Sequence, residues 1–357
     1  MSPAQAQHVV LAIDGGNIKT DVALLGADGR VLSLIRAGTS SPHVIGYDGC
    51  VRFLAELVTQ VASAAGIAPQ SSGEAGGQRA AGNGSGAAPI ADIARVLLAG
   101  ADLPEEVELL QGALGALGWA PRLVVENDTL ALLRTGTDRG WGVAVVCGGG
   151  INAVGIAPDG RTVRFPALGA ITGDWGGGHD VGVAALGAAS RSADGRGPAS
   201  TLEQAVPRHF GLRTPLEVAR ALHFKELSVE ALAQLSPVVY DQAAVDGAAR
   251  AILERVADEV AALARAALTR LELCEAGADV VVGGGLMRAA PPWMIERIAE
   301  LVRASAADAR LVLAHEGPIV GAAMLGLDTL GAGEDVVAAA RSGLQDAIAA
   351  LARQPVG

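Results

Sequence analysis

The sequence predicts an α/β protein made of two duplicated domains, and three observations carry that prediction. The chain has 357 residues, half of them hydrophobic, which is enough for two ordinary cores. The stretches "VVLAIDGGNIKTDVALLGADGRVLSLI" and "GVAVVCGGGINAVGIAPDGRTVRF" follow one pattern of strand, glycine loop, strand, Asp-Gly-Arg turn and strand, with the two turns beginning at 28 and 159. Such a recurrence marks a duplicated supersecondary unit. A third glycine loop, in "GADVVVGGGLMRAAPPWMIERIAELV", follows a strand and leads toward a helix near Pro292, as an α/β sheet requires.

Taken in order, "VVLAID" is an apolar strand and "GGNIKT" a tight loop. A Walker loop needs GxxxxGK[ST] between a strand and a helix. The spacing fails here, so the loop is read as a hairpin tip. Gly15 and Gly16 would let backbone N–H groups approach phosphate oxygens, Lys19 and Thr20 would add donors, and Asp14 could hold a hydrated magnesium ion. On these residues alone an ordinary glycine-rich hairpin is equally open. Residues 69–89, with six glycines and no aromatic or branched aliphatic residue, are expected to be a disordered surface insertion.

The strand "RLVV" precedes the helix "TLALLRTG", with Asp128 at its start. The helix dipole and free N–H groups there keep a carboxylate ionised. Phosphoryl transfer needs such a group to orient a hydroxyl and accept its proton. The alternative is that Asn127 or Asp128 is only an N-cap. Residues 148–153, "GGGINA", satisfy the dinucleotide fingerprint, but a strand follows instead of the helix that the fingerprint needs. Asp174, in a glycine-rich loop with Trp175, could bind sugar hydroxyls or serve a turn. A long amphipathic helix at about 241–275 leads to the loop Gly283, Gly284 and Gly285, which could lie flat against an adenosine or be a plain turn. The last stretch, about 334–353, is an amphipathic helix.

Bulk composition excludes several classes. The net charge is -11 and the cations are nearly all scattered Arg, which argues against nucleic acid or an anionic membrane as partner. Residues 141–158 are uncharged and the mean hydropathy is +0.37, yet five glycines in that stretch make it two buried strands, not a membrane span. Cys50, Cys147 and Cys274 lie far apart without a CxxC pair, and "MSPAQAQHVV" has no basic segment before an apolar one. A reduced, cytoplasmic protein is expected. The six histidines show no metal-ligand spacing, and His43 alone sits in a loop that could reach a substrate.

The combination of duplicated hairpins and three glycine loops resembles the sugar kinase, Hsp70 and actin superfamily, and within it the N-acetylglucosamine kinase branch of the BadF/BadG/BcrA/BcrD ATPase family. "AIDGGNIKTDVAL" looks like the first phosphate motif, "VVENDTLALLRTGT" like the segment bearing the catalytic aspartate, and "VCGGGINAVGI" like the second phosphate motif. "PALGAITGDWGGG" is similar to the sugar-contacting segment, "VVVGGGLMRA" to the adenosine motif and "PIVGAAMLGL" to the helix after it.

The resemblance implies two RNase H-like, actin-like ATPase domains with a nucleotide cleft between them, at about 8–130 and 131–333, and a C-terminal helix returning to the first domain. It implies ATP and Mg2+ as cofactors and transfer to the 6-hydroxyl of N-acetylglucosamine or a related amino sugar, with Asp128 as base. Gly148, Gly149 and Gly150 would hold phosphate, while Asn127, Asn152, Gly169, Asp174 and His43 would hold the sugar. It also allows a homodimer. Two departures stand out: Gly149 and Ile151 replace hydroxyl residues of the second phosphate loop, and Pro42 replaces an Asn that touches the sugar in animal relatives. Two other roles share this pattern, an ATPase that activates a reductase or dehydratase and a silent sugar or nucleotide sensor. The first would need paired cysteines for an iron–sulfur cluster, and only Cys147 lies near a glycine loop.

Overall fold

A computed structural model describes residues 9–67 and 88–353. It divides into two compact units, one formed by residues up to Thr135 together with those from Glu316 onward, the other by Gly136–His315. The expected insertion, residues 69–89, falls almost wholly outside the described residues.

The first unit carries a five-stranded sheet of β1 (Val9–Gly15), β2 (Thr20–Gly26), β3 (Val31–Ala37), β4 (Ile93–Leu98) and β5 (Arg122–Asn127) in the order β3-β2-β1-β4-β5. The second carries β6 (Gly142–Cys147), β7 (Ile151–Ile156), β8 (Thr162–Arg164), β9 (Asp279–Gly283) and β10 (Arg310–Leu313) in the order β10-β9-β6-β7-β8. These are the same sheet. In each, three strands meander antiparallel, a fourth pairs in parallel with the first of them, and a fifth pairs in parallel with the fourth. The Asp-Gly-Arg turns match in detail: Arg30 N–H donates to Asp28 Oδ1 and Arg161 N–H to Asp159 Oδ1, both at 3.0 Å. Each is closed by the glycine N–H, Gly29 to Gly26 and Gly160 to Ala157, at 2.9 Å.

Parallel strands buried on both faces need near-continuous apolar runs. "VVLAID" and "DVVVG" supply them, and β1 from Val10 to Gly15 and all of β9 are buried. The helix Tyr47–Ala64 covers the first sheet through Leu54, Leu57, Val58 and Val61, which join Leu11, Ile13 and Val96 in one core. In the second unit the helix Gly247–Arg270 lays Ile252, Val256, Val260 and Ala264 onto the sheet. It is shorter than the expected 241–275 because Asp246 caps it, accepting from the N–H groups of Ala248 and Ala249 at 2.8 and 2.9 Å; an N-cap carboxylate satisfies orphan donors there.

The chain returns to the first unit earlier than expected. The helix Pro318–Thr329 was placed in the second domain by the sequence, yet it packs on β1 and β4. The reason is its small residues: a Cβ on Gly321 would lie 1.9 Å from the Ala131 carbonyl oxygen, so the helix lies almost in backbone contact. The final helix, Glu334–Ala352, packs on β3. No described helix is long and apolar enough to cross a membrane.

Candidate active site

In the first unit the functional side chains gather where β1, β4 and β5 end. Their parallel register sets Gly15, Leu98 and Asn127 level with one another, so Asp14, the loop after β4 and Asp128 share one end of the sheet. Open α/β sheets place ligands at this carboxyl end. The loop after β4 contributes Asp102, which the sequence reading did not single out. Asn127 Nδ2 donates to Asp102 Oδ1 at 2.7 Å.

Asn127 also resolves the capping question. Its Oδ1 accepts from the Thr129 N–H at 3.0 Å and the Thr129 hydroxyl at 2.6 Å, so Asn127 is the main cap of the helix Thr129–Gly136, and the Thr129 N–H acts on the Asp128 carboxyl only weakly. This corrects the expectation that Asn127 contacts sugar: the residue is buried and both ends of its amide are engaged inside the protein.

Asp128 keeps part of its surface exposed. Desolvation, with Asp14 and then Asp102 adding like charge, pushes its carboxyl up to about 7, against the weaker pull of its own N–H and that of Thr129. A carboxyl whose pKa is raised on folding favours the folded state below its unfolded pKa and loses that contribution as pH rises through about 7. Asp128→Asn, which removes the titration, is therefore expected to raise the melting temperature at pH 8 and to leave it little changed near pH 4. An equal shift at both pH values would show that a raised Asp128 carboxyl is not the cause.

The hairpin tip is closed by the Gly16 N–H donating to the Lys19 carbonyl at 2.8 Å. The Lys19 ammonium pairs with Asp21 and stands 3.8 Å from Asp14. Asp21 is buried and has a second partner, Arg36, whose Nε and Nη2 donate to it at 2.6 and 2.9 Å. Lys19 can thus turn to a phosphate without stranding a buried charge. Thr20 cannot serve as expected: it is fully buried and its hydroxyl donates to Ser40 Oγ at 2.8 Å. It ties the hairpin to the loop 38–46 instead.

Within that loop the one-turn helix Pro42–Ile45 carries His43, an exposed residue whose Nε2 lies 2.7 Å from Glu106 Oε1. Burial works to raise the Glu106 carboxyl, but hydrogen bonds from the Leu103 N–H, His43, Tyr47 and the Asp102 N–H outweigh it and hold the group below its usual range. One ligand atom each from His43, Asp102 and Glu106 lie within 4.8 Å of one another. With Glu106 already accepting from four donors, this cluster is an anchor that sets Asp102 beside the loop.

In the second unit three backbone segments converge. The loop Gly148, Gly149, Gly150 turns through a hydrogen bond from the Gly148 N–H to the Gly150 carbonyl at 2.9 Å. The helix Gly178–Ala193 starts against it, with the Gly178 N–H donating to the Gly148 carbonyl at 2.8 Å. A helix N-terminus favours anions, so the element that no longer follows the loop in sequence arrives from elsewhere in the fold. The contact is close enough that a Cβ on Gly177 would lie 2.3 Å from the Gly149 carbonyl oxygen. Gly283, Gly284 and Gly285 join from β9, with Gly284 at φ +98° and its Cα against the Cys147 carbonyl.

Asp174 sits in the segment just before Gly177. Its N–H donates to the Gly169 carbonyl at 3.0 Å, its carboxylate accepts from the Thr172 hydroxyl, and Gly169 adopts φ +64° to make the turn. Asn152 lies on β7, where its Oδ1 accepts from the Ala153 N–H at 2.7 Å.

A family model described as the BadF/BadG/BcrA/BcrD ATPase family matches residues 11–326. The chain is 25% identical over 282 residues to an N-acetylmuramic acid/N-acetylglucosamine kinase from Clostridium acetobutylicum, covering 78% of this chain and 85% of that one. It is 23% identical over 330 residues to the N-acetyl-D-glucosamine kinase of Dictyostelium discoideum, covering 91% and 99%. Among solved structures, a protein from Chromobacterium violaceum assigned as an N-acetylglucosamine kinase superposes with a TM-score of 0.65 at 22% identity, over 90% of this chain and 99% of that one. A ROK family glucokinase from Streptomyces griseus, solved with glucose and AMPPNP, gives 0.52 at 16%, over 90% and 99%. The two five-stranded units have the actin-like ATPase fold that these likenesses share, and the chain belongs to the BadF/BadG/BcrA/BcrD ATPase family.

Proposed function

We propose that this protein is a cytoplasmic ATP-dependent sugar kinase that phosphorylates the 6-hydroxyl of N-acetylglucosamine or a related amino sugar. The observation that carries this reading is the group of three carboxylates, Asp14, Asp102 and Asp128, at one end of the first sheet. Phosphoryl transfer asks for little covalent chemistry from the protein; it asks for a metal-bound phosphate, a positioned hydroxyl and a proton acceptor. The curated relatives named as amino-sugar kinases support the choice of acceptor.

The donor set fits a magnesium ion, because it offers only oxygens, and a divalent cation would relieve the like charge that Asp14 and Asp102 add to the desolvation of Asp128. Asp14 would hold the ion, which when bound neutralises charge on the transferring phosphate. Lys19, Gly15 and Gly16 of the first unit would steady phosphate oxygens, as would Gly148, Gly149, Gly150 and the N-terminus at Gly178 of the second. Gly283, Gly284 and Gly285 would lie along the adenosine. Asp174, Asn152 and Gly169 would take the sugar hydroxyls, and His43 would border the acceptor from its loop.

Two carboxylates could accept the proton. Asp128, the residue that the sequence points to, has the pKa near neutrality that suits a base. Asp102 is steadied by Asn127 and lies in the cluster with His43 and Glu106. We assign the proton to Asp128 and to Asp102 the steadying of Asn127 beside it. The three cysteines are unpaired, consistent with a reducing compartment.

The test is ADP release by the purified chain with ATP and magnesium, with and without sugar. A kinase must keep water from the γ-phosphate until its acceptor arrives. Release is expected to rise at least roughly tenfold with N-acetylglucosamine, about 1.4 kcal/mol of barrier. Hydrolysis indifferent to every sugar would point to the activator ATPase role instead.

A further inference from the structure

Residues 38–46 form a strap that touches both chemical ends of the first unit. On the phosphate side the Thr39 hydroxyl donates to the Gly16 carbonyl at 3.0 Å, and buried Ser40 accepts from the Thr20 hydroxyl at 2.8 Å. A Cβ on Gly15 would collide with Ser40 Oγ. On the carboxylate side Pro42 and His43 lie against Gly100, in the loop after β4, where a Cβ would stand 3.2 Å from two atoms of the Pro42 ring and 3.3 Å from His43 Nδ1. Gly100 itself is at φ +88°. Glu106 completes the attachment: one carboxylate oxygen takes His43 Nε2 at 2.7 Å and the Tyr47 hydroxyl at 2.9 Å, the other the N–H groups of Asp102 and Leu103 at 3.0 and 2.9 Å. One side chain thus holds the strap and the Asp102 loop together.

Polar loops of this kind are ordinarily mobile. This one cannot lift away without stranding the buried Thr20 and Ser40 hydroxyls, which is costly. A hydroxyl that receives phosphate must lie between the group holding the phosphate and the carboxylate that takes the proton, and the strap is joined to both. We infer that residues 38–46 are a fixed wall of the acceptor site and not a moving lid, and that Gly100 and Glu106 are the positioning residues that set it. The inference rests on the sugar kinase reading and adds to it what places the acceptor in the first unit.

The experiment uses the full chain with Gly100→Ala, Glu106→Gln and Tyr47→Phe. Alanine at 100 is strained at that φ and presses on Pro42, so the KM for N-acetylglucosamine is expected to rise at least roughly tenfold, with kcat changing less and ATP affinity unchanged. Glutamine at 106 keeps an oxygen for the two loop N–H groups, but its amide nitrogen cannot accept from Tyr47. It should shift KM the same way, and Tyr47→Phe, which removes only a hydroxyl, should do so to a smaller extent. A merely structural role would lower the melting temperature and leave the KM of the folded protein untouched.

Amide exchange follows the strap directly, through the Val44 and Ile45 N–H groups on the Ser41 carbonyl and the Cys50 N–H on Gly46. It is expected to be the same with and without sugar in the unaltered protein and faster in Gly100→Ala and Glu106→Gln. Sugar turnover with an unchanged KM in all three variants overturns the positioning role and leaves the kinase reading standing. Strap amides that become protected only when sugar binds are those of a lid and overturn the fixed wall. If no sugar is turned over, the kinase reading fails and the exchange decides the strap: faster exchange in the two variants upholds its attachment through Gly100 and Glu106, and unchanged exchange overturns it.

Discussion

Asp128→Asn is expected to lower kcat by about 10²- to 10⁴-fold, the usual cost of removing a general base, while ATP binding stays near its original strength. The start of the helix has no reason to move, because Asn127 Oδ1 accepts from the Thr129 N–H at 3.0 Å. What asparagine cannot do is accept the proton of an attacking hydroxyl. In the proposed site the nucleotide is held elsewhere, by backbone N–H groups of the glycine loops, so its binding should survive. Steady-state kinetics and nucleotide titration on Asp128→Asn and Asp102→Asn check this together. Asp102→Asn keeps an oxygen for the Asn127 Nδ2 donor that reaches Asp102 at 2.7 Å and is expected to slow transfer less. If it costs more than Asp128→Asn, the base is Asp102.

Gly284→Ala is the second large effect. Gly284 sits at φ +98°, where L side chains are strained. An added Cβ would also fall 2.3 Å from the Cys147 carbonyl oxygen and 3.0 Å from the Cys147 nitrogen. Both are backbone atoms of a buried strand end, so they cannot rotate away as a side chain would. The loop between β9 and the helix Gly285–Arg288 must therefore lift off β6, taking Gly285 from its place beside Gly148. ATP affinity is expected to fall at least roughly tenfold, about 1.4 kcal/mol, with a measurable loss of melting temperature. Isothermal titration with a non-hydrolysable ATP analogue measures the first and thermal unfolding the second. Unchanged affinity would mean that this loop does not touch the nucleotide.

The duplicated sheets were legible because hairpins and glycine loops are local signals: two residues at a turn and five in a strand suffice to mark them. Asp102 was not legible, because nothing in "AGADLPEE" distinguishes it from any acidic loop residue. It matters only after parallel pairing sets Gly15, Leu98 and Asn127 level, and that pairing joins segments far apart in the chain. Thr20 and Asn127 were given the wrong tasks for a related reason. Spacing shows that a polar residue stands near a loop, but not whether its side chain turns inward, and both turn inward to hold Ser40 and Asp102. The helix Pro318–Thr329 was assigned to the wrong unit because its apolar composition suits either sheet. Gly321 and Gly326, pressed against Ala131 and Val10, decide the matter through contacts that only the fold creates.

The most direct test of the central claim, that phosphate passes to a sugar hydroxyl, follows the label from γ-³²P-ATP in the presence of magnesium and either N-acetylglucosamine or its 6-deoxy analogue. The account predicts one labelled sugar phosphate for each ADP formed with N-acetylglucosamine, and no labelled sugar with the 6-deoxy compound. Label appearing only as inorganic phosphate, at the same rate with either compound or with none, would contradict it.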